Sequence, residues 1–185
     1  FDCLIQKNVV SWTSLLSAYV MHGYISETFS LFSQMQEEGL NPNQVTFSVL
    51  FDACADQKVV IIGEVLCSMV LESEIKLDDF LSTSLLIMYG KCGKLEDARR
   101  VFDSIQSKNV VSYTAMVTAY TQFNHPKEAL KVFVKMYEDG VNPDDFTFTT
   151  ILDALTSLSA LMDGKLIHNL IIERCLDSRS SSDIA

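Results

Sequence analysis

A long internal repeat constrains this chain more than any other feature. The segment Val9–Thr13 recurs as Val110–Thr114, a shift of 101 residues. The same shift keeps other landmarks in register, namely Gly39, Asn41-Pro42, Thr46-Phe47 and Gly63. Self-similarity at a long period is the mark of repeat architectures. The sequence therefore predicts an array of small units.

The 101-residue unit divides further into three copies of one pattern. Related segments begin at residues 9, 44, 79 and 110, at spacings of 35, 35 and 31 residues. Each copy is about long enough for two short helices and two turns.

The apolar residues of each copy recur at helical spacing. In the first copy the residues at i, i+3, i+4 and i+7 are Trp12, Leu15, Leu16 and Tyr19, which is one face of a helix. Ser26 predicts the cap of a second helix, and Gly39 predicts its end. Pro126 predicts the first turn of the corresponding helix in the fourth copy. No segment alternates as a half-buried strand does, so no sheet is expected.

A single helical hairpin cannot cover its own apolar faces, but stacked neighbours can. We therefore expect an all-α fold, an α-solenoid of stacked helix-turn-helix repeats that forms a right- or left-handed superhelix with an extended concave surface.

Composition narrows the function classes. Hydrophobic residues make up 48% and charged residues 21% of the 185 residues, which is typical of a folded chain. The net charge of −10 argues against a sequence-independent coat for nucleic acid, because such binding depends on clustered Lys and Arg. It leaves open a protein that reads exposed bases. The five cysteines include no Cys-x-x-Cys, so we expect buried thiols in a reduced chain.

The repeats resemble a known family at this point. Val9–Tyr19, followed by Gly39–Asn43, resembles the pentatricopeptide repeat, and Leu85–Asp103 resembles its short type. The 35, 35 and 31 spacing is similar to the P-L-S triplet of the land-plant PLS subfamily. The resemblance implies a right-handed α-solenoid (superhelix). It also implies P repeats at 9–43 and 110–144, L repeats at 44–78 and 145–179, and an S repeat at 79–109. Residues 1–8 would end a preceding S repeat, and 180–185 would start a further one.

The resemblance also implies sequence-specific binding of single-stranded RNA, one base per repeat. In the family the fifth and last residues of a repeat read the base edge, and the second packs against the base. The implied base-reading residues are Thr13, Asn43, Thr83, Asn109, Thr114 and Asp144. Weaker candidates, mostly from L repeats, are Asn8, Ser48, Asp78, Thr149 and Arg179. The base-packing residues would be Val10, Val45, Phe80, Val111 and Phe146.

Side-chain chemistry gives these positions a meaning. An Asn amide both donates and accepts, as the adenine edge requires, whereas an Asp carboxylate only accepts, as the donors of guanine require. The resemblance thus implies the partial register A-x-A-G-x, 5′ to 3′, with the L repeats unread. The alternative is structural: the threonines could be ordinary first-turn residues, and Asn43, Asn109 and Asp144 could be helix caps.

Enzyme motifs are not found in the sequence. None of its three histidines begins His-x-Glu, and no P-loop or Gly-x-Ser-x-Gly is present. We therefore expect no catalysis, cofactor, metal or small-molecule substrate here; His168 is interpreted as structural. Any deaminase activity would reside in a domain outside the chain or in an RNA-editing partner protein.

Several expectations concern the wider protein. The chain begins without Met, so we interpret it as part of a longer protein, and no stretch is long enough to span a membrane. The family implies a role in organellar RNA processing, C-to-U editing above all, in a mitochondrion or chloroplast. Phosphate contacts are expected near four basic residues, Lys91, Lys94, Arg99 and Arg100. The alternative function is a protein-interaction scaffold of tetratricopeptide type, which the acidic balance favours.

Overall fold

Every second helix of the structure begins at a residue where the sequence pattern repeats. The computed structural model describes residues 7–73 and 75–158. The helices within this part of the chain are α1 (Val9–Met21), α2 (Ile25–Glu37), α3 (Gln44–Gln57), α4 (Val60–Glu72), α5 (Asp79–Lys91), α6 (Leu95–Ser104), α7 (Val110–Gln122), α8 (Pro126–Glu138) and α9 (Asp145–Leu158). Helices α1, α3, α5, α7 and α9 thus begin at 9, 44, 79, 110 and 145.

Helix ends follow local sequence signals in most places. Gly39 has φ +75°, and its N–H and that of Leu40 donate to the carbonyls of Gln36 and Met35, which closes α2. Pro126 is the first residue of α8, as predicted. The prediction for Ser26 was wrong: Tyr24 is the cap of α2, without a side-chain cap bond. The tight turn before it sets this start, since the Tyr24 carbonyl already accepts the first helical N–H.

The core runs along the stack between the two rows of helices. Helical spacing predicts an apolar inner stripe for α8, and all of it is buried, namely Ala129, Val132, Phe133 and Met136. Trp12 and Leu16 of α1 are buried as well. Tyr89 and Val101 contact both the buried cluster of the first repeats and that of the later ones. Because each repeat buries its apolar face against the next, the hairpins stabilise one another.

The helices form two layers of unequal spacing. Helices α1, α3, α5, α7 and α9 each contact the next member of their own row. Within the described residues, α2, α4, α6 and α8 contact the helices before and after them in the chain but not one another. The first row is therefore the tighter, inner layer of the described helices, and the predicted all-α solenoid is confirmed.

Two further properties concern the described residues only. None of their helices combines the length and hydropathy needed to cross a bilayer. Their cysteines Cys54, Cys67 and Cys92 are free thiols, and burial raises the pKa of Cys54 to about 12. That thiol therefore stays protonated at neutral pH.

Candidate nucleic-acid interface

The second residue of each inner helix exposes a large apolar side chain. The exposed fractions are 69% for Val10, 51% for Val45, 54% for Phe80, 57% for Val111 and 62% for Phe146. Burial of such side chains is normally favourable, so their regular exposure makes this face a candidate interaction surface. We call these five residues the apolar ladder. They are the residues that the sequence predicts to pack against bases.

The last residue of each predicted repeat that ends within the described residues caps the next inner helix. In each case its side-chain Oδ1 accepts the backbone N–H three residues on, at 2.8 to 3.1 Å, and the residues are Asn8, Asn43, Asp78, Asn109 and Asp144. All five residues are exposed. These residues therefore do cap helices, as the structural alternative expects. Capping occupies only one end of each side chain, however, and fixes the orientation of the other end.

The two predicted P-repeat pairs each line one pocket. Thr13 and Asn43 line a pocket of about 480 Å³, whose walls include the ladder residues Val10 and Val45. This brings the fifth and last residues of the repeat together between two apolar side chains.

The second P repeat repeats this arrangement. Thr114 and Asp144 line a pocket of about 430 Å³ between Val111 and Phe146. Both threonines are almost fully buried, at 7% and 8% exposure for Thr13 and Thr114, with their hydroxyl groups toward the junction with the next repeat.

A third residue, a threonine, joins each of these pairs through its hydroxyl. Thr46 Oγ1 lies 2.8 Å from Thr13 Oγ1 and 3.0 Å from Asn43 Oδ1. Thr147 Oγ1 lies 2.7 Å from Thr114 Oγ1 and 2.6 Å from Asp144 Oδ1. Sequence reasoning did not assign Thr46 and Thr147 to the site. Their in-register recurrence was the available signal, but it could equally mark a cap.

The S-repeat pair is arranged differently. Thr83 is half-buried and donates its hydroxyl to the Asp79 carbonyl at 2.7 Å, within its own helix. Asn109 caps α7 through Ser112. In the part of the chain that the structure describes, no hydrogen bond joins Thr83 to Asn109, directly or through Ser112.

The weaker candidates within the described residues make contacts other than those with their predicted partners. Ser48 is buried and shares a hydrogen bond with Ser84 at 2.8 Å, whereas Asp78 accepts one from Gln44 at 3.1 Å. Thr149 is exposed and donates to the Phe146 carbonyl. Arg179 and His168 lie outside the described residues.

Positive charge near the ladder is sparse. Lys91 lines the Thr114 pocket and pairs with Asp56 at 2.8 Å. Arg99 and Arg100, expected near phosphates, lie instead on the outer helix α6, where they pair with Asp103 and Asp97. The hydrogen bond to Asp103 raises the pKa of Arg99 above its usual value. Residues 7–73 and 75–158 contain no cluster of three His, Cys, Asp or Glu side chains suited to a metal ion.

Comparison with known families identifies the repeats. Two family models match the chain. The one described as the PPR repeat family matches residues 7–56 and 108–157, and a second, described as the PPR repeat, matches residues 80–110. These matches cover more than half of the chain. The chain belongs to the PPR repeat family.

Curated PPR relatives come from Arabidopsis thaliana. One is a chloroplastic pentatricopeptide repeat-containing protein, 34% identical over 98% of this chain and 22% of its own length. Another, described as putative and mitochondrial, is 32% identical over 94% of this chain and 28% of its own length. The chain thus spans about a quarter of the length of these relatives.

Solved PPR structures share the fold. PPR10, in complex with an 18-nt psaJ RNA element, matches with a TM-score of 0.75 and 21% identity, over 88% of this chain and 24% of PPR10. The PPR domain of Arabidopsis thaliana protein-only RNase P 1, in complex with tRNA, matches with a TM-score of 0.61 and 16% identity. That match covers 86% of this chain and 94% of the domain.

Proposed function

We propose that this chain binds single-stranded RNA and reads about one base per repeat. The observation that carries the proposal is the pair of pockets in which a threonine meets Asn43 or Asp144 between two exposed apolar side chains. Two further facts support it: the family match, and the RNA bound in the PPR10 and RNase P 1 structures.

Each pocket suits a base lying between consecutive ladder residues. The flat faces of a base are largely apolar, so exposed valine and phenylalanine side chains can cover both of them. The base edge then meets the polar pair at the bottom of the pocket. At Thr114 and Asp144 these flanking side chains are Val111 and Phe146.

The polar pairs assign the bases. Asn43 and Asn109 suit adenine, and Asp144 suits guanine, because a carboxylate accepts hydrogen bonds from the guanine donors. The expected register from repeat 9–43 to repeat 145–179 is A-x-A-G-x, 5′ to 3′. The x positions belong to the repeats at 44–78 and 145–179, and Asn8 would serve a base preceding the first A.

The wider role follows from the repeat types and the relatives. We assign 9–43 and 110–144 as P, 44–78 and 145–179 as L, and 79–109 as S, the triplet of the PLS subfamily. The relatives are described as chloroplastic or mitochondrial, which supports a place in organellar RNA processing, with C-to-U editing as the specific role. Any deaminase chemistry belongs to another domain or to a partner protein.

The tetratricopeptide-type scaffold is not favoured, because the family models that match are those of the PPR repeat. Saturable binding of a peptide that RNA does not displace would support the scaffold instead.

The test exchanges one reading residue. The Asp144→Asn variant should move the preference at the fourth base of A-x-A-G-x from G toward A, measured by fluorescence anisotropy on RNAs that differ at that base only. Asp103→Asn is the matched control, since it removes a carboxylate from the outer helix α6. An unchanged preference in Asp144→Asn would remove the assignment of Asp144.

A further inference from the structure

The Thr46 hydroxyl lies between the two residues proposed to read the first base. Its Oγ1 is 2.8 Å from Thr13 Oγ1, 3.0 Å from Asn43 Oδ1 and 3.3 Å from the Asn43 backbone nitrogen. Thr46 is fully buried. These contacts must therefore satisfy the hydroxyl without help from solvent.

The direction of each bond follows from counting protons. A hydroxyl has one proton and two lone pairs, and an amide oxygen can only accept. Thr46 therefore donates to Asn43 Oδ1, and the Asn43 N–H occupies one of its lone pairs. The remaining lone pair must accept from Thr13. The Thr13 hydroxyl consequently presents only lone pairs to the pocket.

The second P repeat contains the same relay in a more constrained form. Asp144 Oδ1 accepts the Thr147 N–H at 2.8 Å and the Thr147 hydroxyl at 2.6 Å. Hydrogen bonds to a carboxylate are strong, so the Thr147 proton is committed to Asp144. The contact of 2.7 Å between the threonines then requires Thr114 to donate to Thr147. Thr114 also presents only lone pairs.

We propose that Thr46 and Thr147 are specificity-determining positioning residues, a role that rests on the RNA-reading function proposed above. Each belongs to the repeat after the one whose base it helps to select. Because it accepts a hydrogen bond from the hydroxyl of Thr13 or Thr114, that hydroxyl can act toward a base only as a hydrogen-bond acceptor. It also anchors Oδ1 of the last residue, so that Asn43 offers its amino group to the pocket.

The resulting pattern matches the proposed bases. The acceptor Thr13 beside the donor amide of Asn43 complements the amino group and ring nitrogen of adenine. The acceptor Thr114 beside the carboxylate of Asp144 complements the two adjacent donors of guanine, its ring N–H and its amino group. Without the relay the Thr114 hydroxyl could rotate and donate its proton, so other bases would fit.

The chain contains its own comparison. The third residues of α1, α5 and α7 are Ser11, Leu81 and Ser112. Ser112 Oγ donates to the main-chain oxygen of Asn109 at 3.0 Å, and Ser11 does the same with Asn8 at 2.9 Å. Within the described residues Ser112 therefore completes only the cap, whereas Thr46 and Thr147 also reach the preceding repeat.

The experiment uses Thr147→Val, which keeps the shape of the side chain and removes its hydroxyl. Affinities of the 185-residue chain are measured by fluorescence anisotropy for RNAs with G or A at the fourth base. The preference for G should fall about fivefold or more in Thr147→Val, the scale of one lost specific base contact. Ser112→Ala, which removes the hydroxyl from a cap without a relay, should leave this preference at the wild-type value.

A double mutant separates this role from a purely structural one. If Thr147 acts through Thr114, adding Thr147→Val to Thr114→Val should change the G preference little further, so the two effects are not additive. Circular dichroism checks that each variant is folded. If Thr147→Val does not fold, Thr46→Val provides the same test at the first base, where the preference for A should fall.

Two results have different meanings. A wild-type chain without preference at the fourth base would contradict the proposed function. A wild-type chain that prefers G, with a folded Thr147→Val variant that prefers it equally, would overturn the relay alone.

Discussion

Asn43 uses the two ends of its side chain differently. Its Oδ1 accepts the Thr46 N–H at 2.9 Å and caps α3. Its Nδ2 has no hydrogen-bond partner in the part of the chain that the structure describes, and the residue lines the first pocket. Because the cap already fixes the side chain, little conformational entropy remains to be lost when a base binds. The helix cap thereby prepares the site.

Replacing Asn43 with Ser should separate these two properties. Serine caps helices about as well as asparagine, so the free energy of unfolding in urea should stay within about 0.5 kcal/mol of wild type. The adenine preference at the first base should disappear, because serine lacks the amide. Asn43→Ala should lose that preference as well as about 1 kcal/mol of stability. Retention of the preference in Asn43→Ser would show that the amide does not read the base.

For single residues, the sequence predicts which side chains share a pocket better than it predicts their hydrogen-bond partners. Thr13 with Asn43, and Thr114 with Asp144, share pockets because the repeat period fixes which residues begin and end each unit. Periodicity carries no information on hydroxyl direction, however. That depends on the distance between neighbouring inner helices, so the bonds of Thr46 and Thr147 required the structure.

For whole helices, too, the sequence pattern predicts some features, whereas others depend on how the helices and turns pack. The inner stripe of α8 could be predicted because helical spacing alone determines which residues share a face. The start of α2 could not, since the turn before Tyr24 sets it and Ser26 does not cap. Likewise, the charges of Arg99 and Arg100 are evident from the sequence. Only the packing of α6 in the outer layer shows that Asp103 and Asp97 already neutralise them.

A hydrogen bond between helices predicts a pH dependence. The buried Tyr113 of α7 donates its hydroxyl to Asp139 at the end of α8, and this bond, with a smaller contribution from Lys135, lowers the pKa of Asp139 below its usual 3.8. A depressed folded-state pKa stabilises the fold above the unfolded-state value, and this contribution is lost as the pH falls through the folded-state value.

The expected result is a loss of stability below about pH 4 that partly depends on Asp139. Urea denaturation at pH 7 and pH 3 should show a smaller difference between the two pH values for Asp139→Asn than for wild type. Tyr113→Phe, which removes the donor and keeps the ring, should also reduce the difference. Identical pH dependence in all three proteins would contradict this assignment.

At the scale of the whole molecule, the solenoid is acidic, and the surface proposed to bind RNA combines the apolar ladder and the polar pairs with little positive charge. The net charge is −10, and Lys91 is the basic residue that lines the Thr114 pocket. Affinity should therefore depend on base contacts more than on phosphates. It should also be low for these repeats alone, since each adds one base and few charges.

The salt dependence of binding tests this balance. For single-stranded RNA the logarithm of affinity should fall with a slope of about −0.7 per neutralised phosphate. With two contacts or fewer, raising the salt concentration from about 50 to 200 mM should cost less than about tenfold in affinity. Lys91→Gln should make the slope shallower, whereas Lys127→Gln on the outer helix α8 should not change it. A loss of a thousandfold would indicate a phosphate-binding surface instead.

The most direct test of the central claim is a reciprocal exchange of the two reading residues in one protein. RNA selected from a random pool by the wild-type chain should contain A-x-A-G-x. The Asn43→Asp/Asp144→Asn double variant has the same composition and net charge, and it should select G-x-A-A-x. If both proteins select the same sequence, the pairs at the two pockets do not read bases and the account is wrong.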